Sequence, residues 1–183
     1  MTTVSDEEIV AATRRWIERA VVGLNLCPFA AGAFAEERIR YCVSHARSED
    51  ELLADLEVEL RRLYTSEPAV CETTLLIHPF VLEEFLDYND FLDLADATLD
   101  ALDLSEDIQV ASFHPRYRFA DTQDEDVENC TNRSPFPMLH LLRQASVDRA
   151  VAAFSDTAEI YEANIATLRR LGADGWRKLW LNP

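Results

Sequence analysis

Thr73-Thr74-Leu75-Leu76-Ile77-His78-Pro79 decides how this chain reads. Thr73–Ile77 is a short run of apolar and β-branched residues, the pattern of a buried strand, and a His-Pro pair closes it. The same ending recurs at Ile108-Gln109-Val110-Ala111-Ser112-Phe113-His114-Pro115. Proline cannot donate a ladder hydrogen bond, so each strand stops where its imidazole arrives. Residues 39–44 make a third strand, whose partly polar alternation suits an edge or a half-exposed face.

Helical patterns separate these strands. Ser48-Glu49-Asp50-Glu51 is a capping box, followed by Leu52, Leu56, Leu60 and Leu63 on one face. Residues 83–103 carry Phe85, Phe91, Leu92 and Leu99, and are read as helix around a break near Asn89. The order is β-α-β-α-β, and crossovers of more than a dozen residues favour parallel strands. At the start, Ser5 and Glu8 form another capping box before Ile9, Trp16, Ile17 and Ala20, and Gly23 and Asn25 end that helix. Toward the end, Ser134-Pro135 reads as the start of a helix bearing His140. Asp156 reads as the cap of a last helix whose stripe is Tyr161, Ile165, Leu168 and Leu171 before Gly172. The expected architecture is one α/β domain over residues 1–183. It has a small, mainly parallel three-stranded sheet, an N-terminal helix and a helical C-terminal cap. The loop at 119–133 is long for a compact domain, and such loops are often functional.

The net charge is −17, from 34 acidic against 17 basic residues. That balance argues against binding nucleic acid, which rests on neutralising phosphates, and against attraction to anionic membranes. The acidic start is unlike a secretory leader, and the four cysteines show no CxxC spacing, so a cytoplasmic protein with reduced thiols is expected. Within this acidic chain, residues 108–120 and 129–147 hold Arg116, Arg118, Arg133 and Arg143 and no carboxylate. Arginine forks suit carboxylate or phosphate, so a small anionic ligand is expected, with Arg116, Asn132, Arg133 and Ser134 as its binding residues.

Ligands of α/β sheets bind at the carboxyl ends of parallel strands. His78 and His114 arrive there on adjacent crossover units. With His140 they make a three-imidazole set suited to a divalent metal, zinc first, with Asp121, Asp124 or Asp126 as a possible fourth ligand. Such a centre points to metal-dependent hydrolysis. Without metal, the same imidazoles could work as acid and base. Cys27 is the alternative centre. If Pro28 opens a helix, Cys27 is its N-cap, where the dipole favours thiolate and a cysteine-dependent enzyme. A non-catalytic metabolite-binding or scaffold protein is the remaining class. His45 is placed on an exposed edge outside this group, and Ser134 lacks a G-x-S-x-G elbow.

Residues 26–30, 72–79, 108–115 and 131–143 together resemble the bacterial family catalogued as domain of unknown function 1415, over nearly the whole chain. Cys27, His78, His114, Asn132, Arg133, Ser134 and His140 fall on matching positions. Cys130 stands where that pattern has an aromatic residue, and Gln144 where it has glutamate. The resemblance implies membership and carries no activity with it.

Overall fold

The computed structural model describes residues 4–27, 30–152 and 157–180. Helix α1 (Asp6–Trp16) opens on the complete capping box. The Glu8 amide donates to the Ser5 hydroxyl at 3.3 Å, and the Ser5 amide donates to the Glu8 carboxylate at 2.8 Å. It runs on as a π-helical segment (Ile17–Val22) and stops at Gly23, where a side-chain carbon would stand 2.4 Å from the Arg19 carbonyl oxygen. A short helix α2 (Ala30–Ala35) precedes strand β1 (Ile39–Val43). Helix α3 (Glu49–Thr65), strand β2 (Thr73–Ile77), helix α4 (Phe85–Ala101) and strand β3 (Ile108–Phe113) follow. Ser48 caps α3, but Glu51 reaches back to the Arg47 amide at 2.7 Å instead of closing the box on Ser48. Helix α4 is unbroken through Asn89. The long loop holds a 3-10 turn (Val127–Asn132). Strand β4 (Met138–Arg143), helix α5 (Gln144–Ala152) and helix α6 (Thr157–Trp180) complete the described chain, with α6 kinked at Gly172, φ 69°. The Asp156 cap falls outside the described residues.

The expected three-stranded, mainly parallel sheet needs correction. The described strands form one four-stranded sheet in the order β1-β2-β4-β3. Only β1 and β2 pair in parallel; β4 is antiparallel to both β2 and β3. The three expected strands do run in one direction, but the segment read as a helix bearing His140 is a strand wedged between two of them. Its sequence, Met-Leu-His-Leu-Leu-Arg, is an apolar run without alternation, as befits a central strand covered on both faces. Six residues also fit a strand better than a helix, for which this length is marginal.

Strand alternation then divides the sheet into two faces. Register places Tyr41, Leu75, His140 and Ala111 in one row on the front face, with Ile39, Thr73, Leu142 and Gln109 in a second row. The back face carries Cys42, Leu76, Leu139, Leu141 and Ile108, and packs against α3 and α4 through Leu52, Leu56, Leu60, Tyr88, Phe91 and Leu99. The four inward leucines of α3, Leu52, Leu56, Leu60 and Leu63, are fully buried, each worth roughly 2 kcal/mol over exposure. The front face packs against Ile9, Trp16, Ile17 and Ala20 of the N-terminal helix, and Leu168 and Trp176 of α6 join the same core.

Candidate functional site

His78 and His114 continue the back-face alternation of their strands, two residues beyond Leu76 and Ser112. Both rings pack on Tyr88 of α4, at 5.7 and 5.1 Å between centroids. The convergence expected from the repeated His-Pro endings is therefore present. Three of the four ring nitrogens, however, are held by backbone, and buried His78 Nε2 has no protein partner among the described residues. A carbonyl only accepts, so His78 Nδ1–H donates to Val81 at 3.1 Å, and His114 Nε2–H donates to Leu82 at 3.2 Å. His114 Nδ1 accepts the Arg116 amide at 3.0 Å. The two imidazoles thus clasp adjacent carbonyls at Leu82, whose φ of 57° costs a non-glycine residue roughly 1–2 kcal/mol. Tyr88 completes the clasp by donating to the Met138 carbonyl at 2.8 Å and accepting the Phe113 amide at 3.0 Å. Burial holds His78 neutral, its pKa pushed down to about 4, and pushes His114 the same way.

His140 is not part of this group. It lies on the front face, on the other side of the sheet, so the three imidazoles share no centre. Among the described residues no three His, Cys, Asp or Glu side chains are grouped to hold a metal ion. Asp124 stands 3.7 Å from Arg118, and Asp126 accepts the Gln123 amide at 2.8 Å.

The residues expected to bind an anion hold loops together. Arg116 donates to the Glu83 carbonyl at 2.6 Å and the Glu84 carboxylate at 2.7 Å. Arg133 donates to the carbonyls of Tyr117 at 3.1 Å and Asp124 at 2.8 Å. Asn132 donates to the Ser112 carbonyl at 3.0 Å, and buried Ser134 donates to the Phe136 carbonyl at 2.7 Å. Fully buried Asn129 ties the long loop to itself, accepting from Phe119 and Thr122 and donating to Gln123. That loop is a built framework.

The concave site lies elsewhere. A cavity of about 540 Å³ opens between the front face and the helices above it. Its floor is Thr73, Leu75, Gln109, Ala111, Phe113, His140 and Leu142. Its walls come from Trp16, Ile17 and Val21, from Cys27, Ala30 and Ala33, and from Val147 and Ala150 of α5. It covers the starting half of β2, and along β3 it runs from Gln109 to Phe113, the strand's last residue. At one side Arg38, Glu72, Ser146 and Arg149 form a polar rim. Glu72 accepts from Arg38 and from Ser146, and pairs with Arg149 at 3.2 Å. The cavity therefore joins two sequence-expected residues, Cys27 and His140, and leaves out His78, His114, Arg116, Asn132, Arg133 and Ser134. Whether Cys27 caps a helix turns on Pro28, which lies outside the described residues. The carboxyl edge itself carries a shallower, open pocket of about 600 Å³ lined by Glu49, Asp50, Glu83, Glu84 and Asp87 beside Arg47 and Phe80. Its acidity is the reverse of an anion site.

A model of the family described as Protein of unknown function (DUF1415) matches residues 8–178. The chain belongs to that family. The match spans every element that lines the cavity, from Trp16 to Ala150. No curated protein and no solved structure matches the chain. No helix among the described residues is long and apolar enough to cross a membrane.

Sequence reasoning missed Trp16, Ala33, Thr73 and Ala111 because small and apolar side chains carry no chemical signal. The alternation of 73/75 and 109/111/113 could have placed them on one face; only the antiparallel β4 brings His140 between them.

Proposed function

We propose that this protein takes a small, largely apolar molecule into the cavity between sheet and N-terminal helices and presents it to the Cys27 thiol, as a cysteine-dependent enzyme would. The observation that carries the reading is that Cys27 and His140 line one apolar chamber of ligand size. Arg149, whose side chain is 65 % exposed at the rim, is where an anionic end of the substrate would be met. The three-imidazole metal hydrolase has less support, because His78 and His114 are bonded to loop carbonyls on the far side of the sheet.

One observation favours a binding protein as the second reading. Burial pushes the His140 pKa down to about 4, whereas an efficient general base sits near the working pH. An imidazole shifted that far is a poor acceptor for a thiol proton. His140 is therefore a neutral hydrogen-bonding group, and the thiol proton must leave by another route.

Iodoacetamide labelling read by mass spectrometry tests the reading. Cys27 is expected to react ahead of Cys42 and Cys130, whose thiols burial pushes up, Cys42 to about 11. Filling the chamber with Ala111→Leu should slow Cys27 alone. Labelling of Cys27 no faster than that of buried Cys71 would reject the reading.

A further inference from the structure

The floor of the cavity has a fixed hydrogen-bonding polarity. Thr73 has one hydroxyl proton. Its oxygen lies 2.6 Å from the Leu141 carbonyl and 2.7 Å from His140 Nε2. The carbonyl can only accept, so it takes that proton, and Nε2 must be the N–H that donates to Thr73. One proton on Nε2 of a neutral ring leaves Nδ1 as a bare lone pair. Among the described residues no donor is placed on Nδ1, and the half-buried His140 lines the cavity, so that lone pair is the one left for a ligand. Ala111 stands directly opposite His140 in the β3–β4 register and brings only a methyl to the ring, while the Phe113 ring lies 6.0 Å from it between centroids.

We propose that the cavity selects an uncharged hydrogen-bond donor, an alcohol, phenol or amide N–H on an apolar body, which donates to His140 Nδ1. A carboxylate there would set lone pair against lone pair. An ammonium group would lose its water inside walls that are apolar apart from the rim, where Glu72 is already taken by Arg38, Ser146 and Arg149. Burial keeps the ring neutral through the physiological range, so this polarity does not invert with ordinary changes of pH. The inference rests on the cavity assigned above as the binding site, but it does not need Cys27 to react.

Titration of 4-propylphenol against 4-propylanisole tests it, in the wild-type protein, in Cys27→Ala and in His140→Phe. One net hydrogen bond predicts that the phenol binds about three- to tenfold tighter than its methyl ether in the first two proteins. The ratio should fall to about one in His140→Phe. Nitrogen-15 spectra of the wild-type histidines supply a check that needs no variant: His140 should show the Nε2–H tautomer, and phenol should shift its Nδ1 resonance. Equal affinities in wild type, a preference that survives His140→Phe, binding of neither probe, or an Nδ1–H tautomer would each overturn the proposal. An inert Cys27 with the phenol preference intact would reject only the enzyme reading.

Discussion

Acid should unfold this protein through its buried imidazoles, well before its carboxylates titrate fully. His78 and His140 are held at about 4 in the folded chain by burial, against an ordinary value of 6.5. Between those limits the unfolded chain binds protons that the folded chain refuses. A depressed folded pKa contributes stability that is present above 6.5 and lost as pH falls toward 4. The full difference for fully buried His78 is about 3 kcal/mol, at a limiting slope of about 1.4 kcal/mol per pH unit. His140 adds somewhat less, because the cavity reaches its ring, and His114 is shifted in the same direction. Together they approach the roughly 5–15 kcal/mol net stability of an ordinary domain. Urea unfolding at half-unit steps from pH 7.5 to 4.5 reads this directly. Between pH 6 and 5 the unfolding free energy should fall by about 2 kcal/mol. His78→Gln should lower stability at pH 7 and flatten that slope by about half. His45→Gln, at an exposed position, is the control. A slope below about 0.5 kcal/mol per unit in the parent, or an unchanged slope in His78→Gln, would refute the reasoning.

Three further outcomes follow from particular contacts. Tyr88→Phe removes the hydroxyl that joins the Met138 carbonyl to the Phe113 amide, and should cost about 3 kcal/mol by urea midpoint, from two lost bonds and the unpaired groups left behind. Arg40→Leu leaves buried Glu59, which Arg40 grips at 2.6 and 3.0 Å, with only the longer 3.4 Å pair to Arg62; a loss of about 2 kcal/mol is expected, with partial recovery in Arg40→Leu/Glu59→Gln by the same assay. Ala111→Leu should weaken 4-propylphenol binding at least tenfold by calorimetry, since about three extra carbons would fill space beside His140, while the urea midpoint moves by less than about 1 kcal/mol because the cavity absorbs them.

Strands β2 and β3 were legible as short, largely apolar runs closed by His-Pro, and β1 from its partly polar alternation. The two capped helix starts were legible because Ser and Glu three residues apart satisfy orphan amides. Strand β4 was not. Ser134-Pro135 has the form of a helix start, and Leu139, Leu141 and Leu142 suit either periodicity, so local sequence alone pointed the wrong way. The physical cause of its strand state is non-local: the unpaired edges of β2 and β3 leave a gap that β4 alone fills. The same ambiguity misplaced His140. The pairing of His78 with His114 was legible as geometry, from two strands ending alike. Their engagement with the carbonyls of Val81 and Leu82 depends on how the β2–α4 connection turns, which no pattern in residues 79–84 announces. For Arg116 and Arg133, local scarcity of acid suggested an anion. Arg133 answers instead to backbone carbonyls, and Arg116 to one carbonyl and to Glu84 from a distant segment.

The place of β4 also sets when the molecule can become whole. A chain emerging from synthesis presents β2 and β3 long before the residues that join them. Until Arg143 is available, β3 has no partner and β2 keeps one edge bare, each a template for association with another nascent chain. A product ending anywhere before Met138 would lack the middle of its sheet, with both cavity floor and histidine clasp left open, so an interrupted chain is an aggregation hazard and cannot be a smaller working protein.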